Sequence, residues 1–430
     1  MRCALKVQLA KLGDWERRHL CRRVCFRNAS PAEMPALPVR AAARARHLKS
    51  PPPSDLRLTG RAIPAQIPST VKPLLVPTNL IPRLVLPSAV AAFFLTGCAT
   101  APRVGSFARR TGDEIVVAGK FIHTGTRVVL WSDPGGYDAY RVERRFSPLD
   151  KADWKTSQEE AKSLTTPNRY NQRKSGLTGE EIERVRGGGW DLPTLQKVVD
   201  QFVIHFDVCG TSRQCFKVLH DLRGLSVHFM LDLDGTLYQT LDLKERAWHA
   251  TTSNSHSVGI EIANMGGYGK EEESPLADWY HPDSDGKTRI TIPERFSDGG
   301  LRTPNFVGHP ARNEPVKGVI QGRELTQYDY TPQQYVALSH LTAALCITFP
   351  KIKCDYPHDA DGKLIPRKLD DDALEKYQGL LGHYHIQTNK TDPGPALDWD
   401  KLIGHARELM GESHADAADQ TSLGHMRKRF

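Results

Sequence analysis

Two nearly continuous apolar runs limit the folds open to this chain more than any other feature. "VVDQFVIHF" (Val198 to Phe206) and "SVGIEIAN" (Ser257 to Asn264) have strand length and carry almost no polar alternation, which reads as central strands covered on both faces. Between them, "LSVHFMLDLDGTLYQTLDL" reads as a hairpin turning at Asp234-Gly235. Helix starts are signalled by Thr178 with Glu181 three residues on, by the segment Ser212 to Asp221, and by Thr331-Pro332. After the last of these, Tyr335, Leu338, Leu341 and Leu345 recur at helical spacing. The implied class is α/β: a central mixed β-sheet flanked by helices, with a small N-terminal β-containing extension and a long surface insertion.

Composition matters once the chain is divided. Its 430 residues hold 58 Lys and Arg against 50 Asp and Glu, a formal charge of +8. Residues 1–97 contain 16 basic and 4 acidic side chains, which leaves 42 basic and 46 acidic for residues 98–430. The basic excess belongs to the first segment, so the remainder has no nucleic-acid footprint. Residues 1–97 are rich in Arg, Ala and Pro with no apolar period, and are expected to be disordered or not made. Arg83, the twelve-residue apolar run Leu84 to Leu95 and the quartet Leu95, Thr96, Gly97, Cys98 suit a signal peptide over about residues 80–97. The quartet resembles the lipobox of bacterial lipoproteins, which implies lipidation at Cys98 and a start codon assigned too early, the true one lying between about Val71 and Pro82.

Residues 98–195 are expected to form a tether and extension, with a hairpin or small sheet in "GDEIVVAGKFIHTGTRVVLW". Residues 196–410 are expected to form the main domain, interrupted by a polar insertion over about 265–328, and residues 411–430 a disordered tail. Export to an oxidising envelope favours disulfides, and Cys209 with Cys215 and Cys346 with Cys354 are the expected pairs. Neither spacing is that of a zinc knuckle.

Chemistry-bearing residues gather in three places. His205 ends the first apolar run. Glu261 stands in the second, where alternation sends it to the same side as Gly259 and Ala263, and a carboxylate there needs a cation or a solvent-filled cleft. The loop "GHYHIQTNKTDPGP" (Gly382 to Pro395) places Lys390 and Asp392 two apart, hence on one side of an extended segment. His383 reaches the same point if the loop doubles back. Two imidazoles and a carboxylate are a catalytic zinc set, and His385 competes with His383 for the role.

The blocks "VIHFDVCG", "LSVHFMLDLDGTLYQ", "AWHA", "NSHSVGIE" and "GHYHIQTNKTDPGPALDW", in this order over roughly Val198 to Leu402, resemble the zinc-dependent N-acetylmuramoyl-L-alanine amidases of the type 2 family, which includes AmpD, AmiD and the peptidoglycan recognition proteins. The resemblance implies one zinc per chain on His205, His383 and Asp392, with Lys390 facing the developing oxyanion. Val227 stands where phage-type members have a tyrosine, so Glu261 is the implied acid–base group. His228, His249 and Asn254 are implied as substrate contacts. The implied reaction is hydrolysis of the amide between the lactyl group of N-acetylmuramic acid and L-alanine, with peptidoglycan or muropeptides as partner. With the lipid anchor at Cys98, the implied location is the bacterial cell envelope, on the periplasmic side of the outer membrane. A non-catalytic peptidoglycan-binding lipoprotein and an anhydromuropeptide-recycling amidase are the alternatives, and the sequence leaves the oligomeric state open.

Overall fold

The computed structural model describes residues 104–161, 164–270, 272 and 274–411. The signal peptide, Cys98 and the tail beyond residue 411 therefore lie outside the described residues. From Arg109 onward these residues fall in one compact unit. The described chain opens with a hairpin, β1 (Glu114–Val117) and β2 (Lys120–His123), and continues through β3 (Val128–Leu130) and β4 (Tyr170–Gln172). Helix α1 (Gly179–Arg186) starts where the Thr178/Glu181 pair predicts, and both halves of that capping box form. Helix α2 (Leu192–Val198) leads into β5 (Gln201–Phe206).

After β5 come helix α3 (Ser212–Phe216), extended by wider turns over Lys217–Leu222, and the hairpin β6 (Phe229–Leu231) and β7 (Leu237–Gln239). Gly235 in its turn has φ +79°, a conformation that glycine adopts without a Cβ penalty. β8 (Glu245–Ala247) pairs with β4, and β9 (Ser257–Ile262) is the second buried run. The insertion contributes two ribbons, β10 (Tyr280–Pro282) with β11 (Thr288–Ile290) and β12 (Val316–Ile320) with β13 (Arg323–Gln327). Helix α4 (Pro332–Thr348) and β14 (Gly379–Gly382) follow, and residues 399–411 form a last helix.

Six strands make one mixed sheet in the order β14-β5-β9-β6-β7-β3. β14, β5, β9 and β6 run parallel, β7 returns antiparallel to β6, and β3 pairs parallel with β7. All six residues of β5 and of β9 are buried, as expected for strands covered on both sides. Phe202 and Ile204 of β5, with Val258, Ile260 and Ile262 of β9, pack against Tyr335, Leu338, Leu341 and Leu345 of α4. Each such side chain, fully buried, stabilises by about 1.5–3 kcal/mol. The alternate residues of the same strands, His205 and Glu261 among them, face the opposite side.

Three expectations change. The hairpin of the extension forms, but the strand after it is the edge of the main sheet. The insertion is more than surface, because its Trp279, Tyr280 and Ile290 build a buried cluster with Leu233, Ala263 and Met265. Among the described residues, Cys209, Cys215, Cys346 and Cys354 form no disulfide. Each expected pair lies side by side as thiols instead, Cys215 hydrogen-bonded to Cys209 and Cys346 to Cys354. Among the described residues, no helix is long and apolar enough to cross a membrane.

Candidate metal centre

Strand register brings the site together. His205 is the Cα partner of Glu261, and Gly382 at the end of β14 is the partner of Ile204. His383, the next residue, therefore arrives beside His205 at the carboxyl ends of three adjacent parallel strands, where crevices in open α/β sheets bind ligands. The loop after β14 then doubles back. The backbone N–H of Tyr384 donates to the Asp392 carbonyl at 3.1 Å, which sets Asp392 under both histidines.

Asp392 Oδ2 lies 2.7 Å from His205 Nδ1 and 2.9 Å from His383 Nδ1. One ligand atom from each of His205, His383 and Asp392 falls within 4.8 Å of the others, and all three residues are buried. Burial, reinforced by the His383 ring, pushes His205 down to about 4, and burial likewise lowers His383. Burial alone would raise the Asp392 carboxyl, but the two imidazoles outweigh it and hold the group well below the usual carboxylate range. Two neutral ring nitrogens and an ionised carboxylate aimed at one point fit a zinc ion. Among the described residues, the other group with this proximity is Asp113, Glu114 and His123 on the first hairpin, where His123 is exposed and both carboxylates already accept backbone N–H groups.

Glu261 and Lys390 line the same cavity as His205, His383 and Asp392, together with Leu219, Arg223, Leu225, Ser226, Trp248 and His249. Glu261 is only 6 % exposed, so it is not a solvent-facing strand residue. The space beside Gly259 is filled. It holds the His249 ring, which a Cβ on Gly259 would approach to 2.4 Å. His249 Nδ1 lies 3.1 Å from His205 Nε2, and its own Nε2 is 3.3 Å from Ser257 Oγ.

The remaining expected residues have other partners. His385 is fully buried, its Nδ1 accepts from Gly382 N–H at 2.9 Å and its Nε2 donates to the Ile365 carbonyl at 2.8 Å. With both nitrogens used it holds the loop, and His383 is the ring at the metal position. His228 was expected at the substrate, yet it is wholly buried away from the cavity lining. Its Nδ1 accepts from Gly259 N–H, its Nε2 faces the Glu245 carbonyl, and burial lowers it to about 3. Asn254, expected in the same role, caps a turn: its Oδ1 accepts from His249 and Ala250 N–H.

Arg173, Arg223 and Gln387 were missed. Arg173 is fully buried and donates to the Leu243, Ser255 and Ser257 carbonyls. Nothing in the polar sequence around it marks it as internal. Gln387, four residues after His383, accepts from His383 Nε2 at 2.7 Å. The one-turn spacing was the available signal.

Residues 195–395 match the N-acetylmuramoyl-L-alanine amidase family. No curated protein matches the chain. Among solved structures, a selenomethionine derivative of AmpD is 17% identical, with 55% of this chain and 89% of that chain covered and a TM-score of 0.25. The endolysin N-acetylmuramoyl-L-alanine amidase LysCS from Clostridium intestinale URNW is 16% identical over 49% of this chain and 84% of its own, with a TM-score of 0.25. AmiD from E. coli, in complex with the substrate anhydro-N-acetylmuramic acid-L-Ala-D-gamma-Glu-L-Lys, is 16% identical over 48% of this chain and 57% of its own, with a TM-score of 0.26.

Proposed function

We propose, from the match of residues 195–395 to the N-acetylmuramoyl-L-alanine amidase family, a peptidoglycan hydrolase that cuts the amide between the lactyl group of N-acetylmuramic acid and L-alanine. The observation that carries this reading is the convergence of His205, His383 and Asp392 in one cavity with Glu261 and Lys390. Zinc held by the first three would supply Lewis acidity and bring the pKa of a water towards ~7. Glu261 takes the proton from the attacking water and returns it to the departing alanine nitrogen. The Lys390 ammonium faces the lactyl carbonyl oxygen as negative charge develops there, and loss of one such stabiliser costs ~10²- to 10³-fold in rate. Leu219, Leu225 and Trp248 line the cavity beside these groups.

The reading extends to an envelope lipoprotein, lipidated at Cys98 and facing the periplasm, on the support of the apolar run and quartet in the sequence. Globomycin-sensitive processing with palmitate labelling at Cys98 is the expected result, and an unlabelled full-length product would remove the anchor.

The enzymatic claim is tested by incubating the purified zinc-loaded protein with sacculi and counting new N-terminal alanines. Release well above a Glu261→Ala control is expected; equal release from both proteins would sink the claim.

A further inference from the structure

The insertion reaches the metal position through two glutamines. β12 and β13 are joined by Gln321 and Gly322, both at positive φ, +54° and +73°. Glycine adopts that conformation readily, whereas a glutamine there is uncommon and persists only where its surroundings hold it. The Gln321 side chain has such surroundings. Its Nε2 donates to the Tyr384 carbonyl at 2.7 Å and to the Gln387 carbonyl at 3.1 Å, while its Oε1 accepts from Lys368 N–H at 3.3 Å.

Gln387 is thus fixed by its backbone, and its side chain faces the metal cluster. Its Oε1 can only accept, so the 2.7 Å contact favours a proton on His383 Nε2 and frees Nδ1, 2.9 Å from Asp392 Oδ2, to bind a cation shared with that carboxylate. The same Gln387 carbonyl accepts Lys390 N–H at 3.2 Å. One residue therefore sets the tautomer of His383 and the start of the turn that carries Lys390.

We propose that Gln387, anchored by Gln321 of the insertion, is a positioning residue that holds His383 in its metal-binding tautomer and orientation. The inference rests on the reading of His383 as a zinc ligand. Partners that fix a ligating histidine through its other nitrogen typically change metal affinity 10- to 100-fold when removed.

The test measures zinc affinity of the full protein by competition with a chromophoric chelator, alongside the d–d spectrum of the cobalt-loaded form. Gln387→Leu and Gln387→Ala are expected to weaken zinc about 10- to 100-fold and shift the cobalt spectrum, with the metal-free protein still unfolding cooperatively. Gln387→Glu keeps the acceptor and is expected to retain wild-type affinity. Gln321→Ala is expected to fall between. Leu and Ala variants within twofold of wild type, or a Glu variant as weak as Leu, overturn the inference. If the wild type binds zinc and cleaves sacculi while these variants match it, this inference alone fails. A wild type that takes up no zinc overturns the metal reading and this inference together.

Discussion

His383 and His385 sit two residues apart in one turn, and their fates differ because of what each nitrogen touches. Removing His385 leaves Gly382 N–H and the Ile365 carbonyl without their partner in a buried place, at a cost of ~1–3 kcal/mol for an unsatisfied group. His385→Ala should therefore lower the melting temperature while keeping one zinc per chain, whereas His383→Ala should lose the metal; metal analysis beside thermal unfolding separates them. Gly259 makes a similar point through space. An alanine there drives its Cβ into the His249 ring, and overpacking of this kind costs ~1–3 kcal/mol. Gly259→Ala should destabilise the protein and weaken zinc as well, since the displaced His249 adjoins His205 Nε2. A variant of unchanged zinc affinity would show that His249 plays no part in holding His205.

At the scale of elements, support for the fold and support for the site can be told apart. Thr331 opens α4, accepting from Gln334 N–H and donating to the Leu233 carbonyl at 2.8 Å. Thr331→Ala should cost ~1–2 kcal/mol in urea unfolding and leave zinc affinity alone. Gln327, at the end of β13, is different. Wholly buried, it donates to the Pro393 carbonyl and accepts from Ala396 N–H, bracketing the far end of the ligand loop. Gln327→Leu should lower stability and zinc affinity together. These contrasts also show what could be read in advance. β5 and β9 announced themselves as apolar runs, and with them His205 and Glu261. β14 did not: "GLLG" is four residues with glycine at both ends, too short for a period, yet it delivers His383. The insertion was legible as polar and long, but its ties to the site join residues 66 apart, such as Gln327 with Pro393, and no local pattern encodes those.

For the molecule as a whole, the question is whether residues before the amidase-family match at 195–395 form a separable extension. β3 argues against it, being the sixth strand of the main sheet through its pairing with β7. Arg173 argues against it more strongly. Its guanidinium is fully enclosed, burial lowers it to about 9, and it ties the residues before the match to carbonyls at the start of β9, the strand that carries Glu261. Val116 of the first hairpin also exchanges hydrogen bonds with Gln239 at the end of β7. Because a buried carbonyl left without a partner costs ~1–3 kcal/mol and Arg173 serves three, Arg173→Met should remove about 3 kcal/mol or more of unfolding free energy. A chain begun at residue 195 loses that contact, the edge strand and the hairpin at once, which is comparable with the ~5–15 kcal/mol that stabilises a typical domain. It should therefore be recovered unfolded or aggregated, judged by circular dichroism and size exclusion. A soluble, cooperatively folding product that still binds zinc would establish instead that the chain from residue 195 stands alone and that Arg173 is dispensable to it.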